Sequence, residues 1–276
     1  MRQRLARDLA PRRLAVIGGL ILAGRALTAG YSRWRPSCLT WGARPDEVSR
    51  DLPGDELLAE PDILSSRAIF IAAPPKAIWP WLAQMGPGRG GLYTYDWIEN
   101  LFGLDMHSTN VVLPDFQKIE IGDSHKLGKK GPTLRVAICD VGRALVLRSD
   151  DGNWVWAFVL EPGATGTRLI SRNRIATPDA SIALRLFNRW VMEPGSLIME
   201  RKMLLGIKER SERLALARSD GRARVTRGRA RGVQQSGEGW PAGGPSESPG
   251  PGRWRRAPLR SSGPVPFFPS APPRRH

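Results

Sequence analysis

Trp154-Val-Trp156-Ala-Phe158-Val-Leu160-Glu-Pro162 runs through the short turn Gly163-Ala-Thr-Gly166 into Thr167-Arg-Leu-Ile-Ser-Arg-Asn-Arg-Ile175. The first run alternates with a period of two, which sets Trp154, Trp156, Phe158 and Leu160 on one face of a strand and Val155, Ala157 and Val159 on the other. Two such runs across a glycine-containing turn predict a β-hairpin. Two indoles on one face are bulky for a tightly filled small core, so the pattern points to a concave sheet enclosing something apolar. On the second strand Ser171 and Asn173 alternate with Arg172 and Arg174. Inward arginines would suit an anionic ligand and an inward Asn173 would orient a neutral one; arginines turned to solvent are the expected arrangement.

Toward the carboxy end, residues 181–192 read as a helix, Glu193-Pro194-Gly195 as a break, and Ser196 as the N-cap of a helix running to about Ala217. Met199, Met203, Gly206, Ile207, Arg210 and Leu214 share one side of that last helix. Toward the amino end, strands are expected over 117–121, 134–140 and 143–148, with Val141-Gly142 as the last reversal. Arg67-Ala-Ile-Phe-Ile71 reads as a first strand, and Pro75 opens a helix to about Met85 that buries Ile78, Leu82 and Met85. Thr94 is the expected N-cap of a short helix from Tyr95 to Phe102, with Tyr95, Ile98 and Phe102 turned inward. Gly86-Pro-Gly-Arg-Gly-Gly91 has the GxGxxG spacing, but it follows a helix where the dinucleotide fingerprint must follow a strand. It reads as a tight reversal.

The 276 residues carry a formal charge of +16 that is unevenly spread. Basic residues number 8 against 1 acidic over 1–40, 23 against 22 over 41–218, and 11 against 3 over 219–276. A high pI ordinarily suggests nucleic acid or anionic lipid, yet this surplus sits in the flanks, so no specific nucleic-acid partner is expected. Residues 219–276 are rich in Gly, Pro, Arg and Ser without a period of 2 or 3.6, and are predicted to be disordered.

In the basic segment 1–35, Leu14 to Gly24 is free of charge, follows Arg2, Arg4, Arg7, Arg12 and Arg13, and is interrupted by Arg25. Continued through Tyr31 as a helix it reaches roughly 27 Å, slightly short of the ~30 Å hydrocarbon core. Segment 14–31 therefore reads as a single membrane anchor, with the excess of arginines before it favouring a cytoplasmic amino terminus. A cleaved signal peptide and an ordinary amphipathic or buried helix are the other readings. Residues 36–66 carry Pro and Gly too often for a long element and are expected to lie over the domain as an extended strap. Cys38 and Cys139 indicate neither a disulfide framework nor a cysteine zinc site.

Ile71-Ala-Ala-Pro-Pro-Lys-Ala-Ile-Trp-Pro-Trp-Leu82, and Trp156-Ala-Phe-Val-Leu-Glu-Pro with Gly166-Thr-Arg-Leu169, resemble the START-like helix-grip superfamily, also called SRPBCC or polyketide cyclase/dehydrase-like. The similarity extends over residues 67–218. Trp41-Gly-Ala, Leu52-Pro-Gly-Asp55, Gly90-Gly-Leu-Tyr-Thr-Tyr-Asp-Trp-Ile-Glu-Asn100 and Met199-Glu-Arg-Lys-Met203 look like a bacterial subgroup of it. The resemblance implies an α+β fold in which a strongly curved antiparallel sheet wraps a long carboxy-terminal helix, with two short helices after the first strand. It also implies an apolar cavity between sheet and helix. It carries no shared catalytic residue.

The site residues come from the pattern of this chain. Trp154, Trp156 and Asn173 would line the sheet side, Met199 and Met203 the helix side, and Tyr93, Tyr95, Trp97 and His107 the mouth. The first functional expectation is a membrane-tethered domain that binds or carries a small hydrophobic molecule, lipid or polyketide-like, without a cofactor. The second is a cyclase or dehydratase in which His107, Asp96 or Glu99 moves protons. The third is binding of nucleic acid or anionic lipid through the basic flanks. His107, His125 and His276 form no metal-ligand constellation in the sequence.

Overall fold

β5 (Trp154–Pro162) and β6 (Thr167–Ile175) pair antiparallel along their whole lengths, from Trp154 opposite Ile175 to Pro162 opposite Thr167, in the computed structural model. They are interior strands of one open antiparallel sheet of order β1-β6-β5-β4-β3-β2, whose remaining strands are β1 (Ile63–Ile71), β2 (Ser124–Lys126), β3 (Thr133–Asp140) and β4 (Ala144–Ser149). The structure describes residues 2–101, 103–128 and 131–235, with side chains described from 22 to 220 within those ranges.

The period of two sorts the sheet into its faces. Leu145 and Leu147 on β4, Trp156, Phe158 and Leu160 on β5, and Leu169 on β6 join one buried cluster with Ile78 and Leu82 of α3 (Pro75–Ala83) and Met203, Leu204 and Ile207 of α6 (Glu193–Gln235). A register shift between Val136 and Ile138 bends β3 where it pairs with β4. Strand order, the helices α3 and α4 (Asp96–Leu101) after β1, and α6 against the inner face make this the helix-grip arrangement.

The outer face is covered as well, by residues 40–62, which include α2 (Pro45–Ser49). Arg168, Arg172 and Arg174 of β6 are therefore not turned to solvent. Arg168 pairs with Glu47 at 2.7 Å, and Arg172 binds Asp55, the carbonyls of Glu47, Val48 and Arg50, and Ser66 Oγ. Arg174 donates to the carbonyls of Leu58 and Ala59 at 2.7 Å. A strap with only short helical turns leaves carbonyls unpaired, and a guanidinium with five donors can satisfy several at once. Gly42 and Gly54 permit the close approach. A Cβ on Gly42 would lie 2.2 Å from the Ala68 carbonyl oxygen, one on Gly54 would lie 2.6 Å from Val146 Cγ1, and both have positive φ.

Several boundaries differ from the sequence expectation. The amino-terminal helix α1 runs Arg2–Leu39, so the strap starts at 40 rather than 36, and Cys38 is buried. β1 begins at Ile63 rather than 67. Residues 117–121 are not a strand: the Gln117 amide is tied to Leu113 O at 3.0 Å and Gln84 Oε1 at 3.1 Å, while Asp123 caps Glu120 N at 2.9 Å. The chain does not break at 193–195. α5 (Ile182–Phe187) passes through a π-helical turn, Asn188–Met192, directly into α6, and that turn absorbs the missing N–H of Pro194. Ser196 is thus no N-cap; its hydroxyl donates to Glu193 O at 2.8 Å. α6 also continues to Gln235, into the segment predicted to be disordered, while 236–276 lies outside the described residues.

Among the described residues no helix is long and apolar enough to cross a membrane, which corrects the transmembrane reading of 14–31. Arg25 divides the apolar run, and the last turns of α1 pack on the domain. There Arg35 bridges Glu193 at 2.6 and 2.7 Å, and Arg67 Nε donates to Cys38 O at 3.2 Å.

Candidate functional site

Inner-face residues of β1, β5 and β6 meet α6 in a buried mixed surface. Trp154 and Trp156 stack with ring centroids 5.6 Å apart and planes 17° apart, and Phe158 follows at 4.9 Å from Trp156. Their indole N–H groups are satisfied laterally, by Asn173 Oδ1 at 2.8 Å and Ser171 Oγ at 2.9 Å. The ring faces are thereby left for apolar contact. Asn173 faces inward, as the neutral-ligand alternative required, and its Nδ2 lies 3.4 Å from both oxygens of Glu200 on α6. Glu200 pairs with Arg67 of β1, whose Nη2 also donates to Ser196 Oγ at 3.0 Å. Burial pushes the Glu200 carboxyl up, against the opposing pull of Arg67.

Arg67 and Glu200 were not among the residues singled out from the sequence, although the pattern contained them. Alternation along Arg67-Ala-Ile-Phe-Ile71 places Arg67 with Ile69 and Ile71, and Glu200 lies on the side of α6 that carries Met203 and Ile207. Met203 is buried against the aromatic face and Met199 is half-buried.

The expected mouth residues do not assemble into one rim. Tyr93 is buried, its hydroxyl donating to Trp81 O at 2.9 Å and its ring lying 4.7 Å below the Arg210 guanidinium. Tyr95 is at the surface beside Lys202, and Trp97 is exposed. His107 is 80 % exposed, with only Asp105 at 3.2 Å. The inward face of α4 is Glu99, not Tyr95, and Phe102 lies outside the described residues.

Of the three acid/base candidates, Asp96 accepts from Ser108 N at 2.7 Å and Ser108 Oγ at 2.6 Å, which ties down the loop after α4. Glu99 differs, being buried with Oε2 unpartnered among the described residues; burial first, and then the charge of Asp96, pushes its carboxyl up. Trp81 Nε1, Ser211 Oγ and His125 Nε2 are further buried polar atoms without a partner there. Burial, then Arg89, pushes His125 down. The Gly86–Gly91 turn spends its amides internally, Gly86 and Gly91 exchanging bonds at 3.1 and 3.2 Å, so no phosphate cradle is formed. Among the described residues no group of three or more His, Cys, Asp or Glu comes together.

No family model and no curated protein matches the sequence. Similar solved structures include a protein from Mesorhizobium loti, 19 % identical, covering 56 % of this chain and 98 % of its own, with a TM-score of 0.32. The KanY protein is 15 % identical, covering 54 % and 97 %, with a TM-score of 0.35. A polyketide-cyclase-like protein from Corynebacterium glutamicum is 18 % identical, covering 55 % and 88 %, with a TM-score of 0.29.

Proposed function

We propose that the domain binds a small hydrophobic molecule between the inner face of the sheet and α6, with Trp154, Trp156, Met199 and Met203 as the apolar contacts. The observation that carries this reading is the stacked indole pair, whose N–H groups are already bonded to Asn173 and Ser171. Trp154 at the end of the stack is only half-buried, as is Met199 on α6, so a ligand enters at Trp154 by adding contact rather than by displacing the centre of the core. Burial of apolar area at roughly 25 cal/mol per Å² drives the association. Asn173 and Glu200, held by Arg67, orient the polar end of the molecule. A transmembrane tether is not part of the proposal.

Titration with a fluorescent apolar probe, anilinonaphthalene sulfonate, tests it. Saturable binding that Trp154→Ala weakens is expected; binding unchanged by Trp154→Ala and by Met199→Ser removes the site.

One observation favours a second reading, in which the domain is an enzyme of cyclase or dehydratase type. Glu99 is a buried carboxyl whose pKa burial pushes up and whose Oε2 has no partner among the described residues, a shift in the direction a general acid needs. Turnover of a polyketide-like substrate abolished by Glu99→Gln but retained by His107→Ala supports it, and the reverse pattern overturns it.

A further inference from the structure

The segment from α5 through the π turn leaves most of its large apolar side chains uncovered, with Arg185, Asn188 and Arg189 set among them. Ile182 is 78 %, Phe187 48 % and Val191 52 % exposed, and Leu184, Leu186 and Met192 are exposed with them. So many exposed large apolar side chains on one short helical segment mark a surface built for a surrounding that the domain does not supply. Beside it stands the carboxy-terminal third of α1. Tyr31 stacks on Trp190 with ring centroids 4.3 Å apart, Trp34 lies 5.8 Å from Tyr31, and Arg189 Nη2 donates to Ser32 Oγ at 3.2 Å.

Within the two stretches that make this face the charge has one sign. From Leu9 to Pro45 and from Ala180 to Met192 there is no acidic residue. Arg25, Arg33, Arg185 and Arg189 make no ion pair among the described residues. Asp62 and Glu193, which share a groove with Arg185 and Arg189, are already bound to Thr177 and Arg35. A second copy docked on this face would bring the same arginines against each other, and the segment 219–276 is itself basic, so neither suits as a cover.

We infer that the α5 and π-turn segment, with the end of α1, is an interfacial docking element for an anionic lipid bilayer. Leu186, Phe187 and their neighbours enter the boundary between headgroups and acyl chains. Trp34, Trp190 and Tyr31 sit at headgroup level, and Arg185 and Arg189 meet lipid phosphates. The element lies on the membrane and does not cross it. This inference is independent of the ligand reading.

Sedimentation of the full chain with vesicles tests it, comparing phosphatidylcholine alone with phosphatidylcholine containing about 30 % phosphatidylglycerol. Binding to the anionic vesicles, weakened by salt, is expected. Leu186→Ser with Phe187→Ser should lower partitioning by roughly tenfold or more while leaving the circular dichroism melt unchanged. Ile182→Asp, at the most exposed position, gives the same reading if the double variant fails to fold, and Arg185→Glu should reduce both binding and its salt dependence. The inference is overturned if the wild type ignores anionic vesicles. It is equally overturned if the apolar variants bind as well as the wild type, which would assign binding to the amino-terminal arginines alone. A wild-type dimer that the double variant dissociates, without vesicle binding, would give the face to a second copy instead.

Discussion

The guanidinium of Arg172, on the outer face of β6, is bound to the carboxylate of Asp55 in the strap, and at 2 % exposure the arginine is sealed between strap and sheet. Its remaining donors reach three strap carbonyls and Ser66, so one side chain fixes a segment with little regular structure of its own. Arg172→Ala should destabilise the domain by about 3–5 kcal/mol in chemical denaturation, because Asp55 and the carbonyls are left buried. Arg172→Lys should recover little, since an ammonium cannot span the same acceptors. A loss under about 1 kcal/mol would show that the strap is held by other means.

Gly54 makes a sharper test of how closely the strap lies. It has φ of 95°, and an added Cβ would meet Val146 Cγ1 at 2.6 Å. Gly54→Ala should cost about 1–3 kcal/mol, and Val146→Ala in the same chain should relieve the steric share but leave the backbone share. Strict additivity of the two substitutions would contradict this contact.

Glu99 and His125 should give opposite pH dependences. The Glu99 carboxyl is raised above 4.5, so the folded state holds its proton more tightly than the unfolded chain does. Its contribution to stability is fully present below 4.5 and is lost as pH rises through the folded value. Glu99→Gln should therefore be more stable than wild type at about pH 8 and show a shallower decline from about pH 5 upward. Parallel curves would contradict the burial of the carboxyl.

The His125 pKa is pushed below 6.5, so the unfolded chain binds that proton first, and stability falls as pH drops from 6.5 through the lower folded value. His125→Gln should remove this acid-side loss in denaturation curves. An unchanged curve would place the imidazole in solvent.

The inner face was legible because alternation needs no tertiary information. Trp154, Trp156, Phe158 and Leu160 fall where the period of two puts them, and the order of strands and helices follows the sequence pattern except that the strand expected at 117–121 gives way to β2 at Ser124–Lys126. The outer face was not, since three alternating arginines look the same in sequence whether water or a strap covers them. Pro194 marked a helix end that a π turn instead carries through, a choice made by the packing of Glu193 on Arg35 and Tyr31. Of the candidate site, the residues set by strand alternation came together, whereas His107 and Trp97 belong to loop and surface geometry that no local period encodes.

Native mass spectrometry of the full chain, purified gently from its own cells, tests the ligand reading most directly. A discrete noncovalent mass of a lipid or other apolar metabolite is expected, reduced in occupancy by Trp154→Ala and by Met199→Ser. Bare protein alone, together with no saturable uptake of an apolar probe, would contradict it.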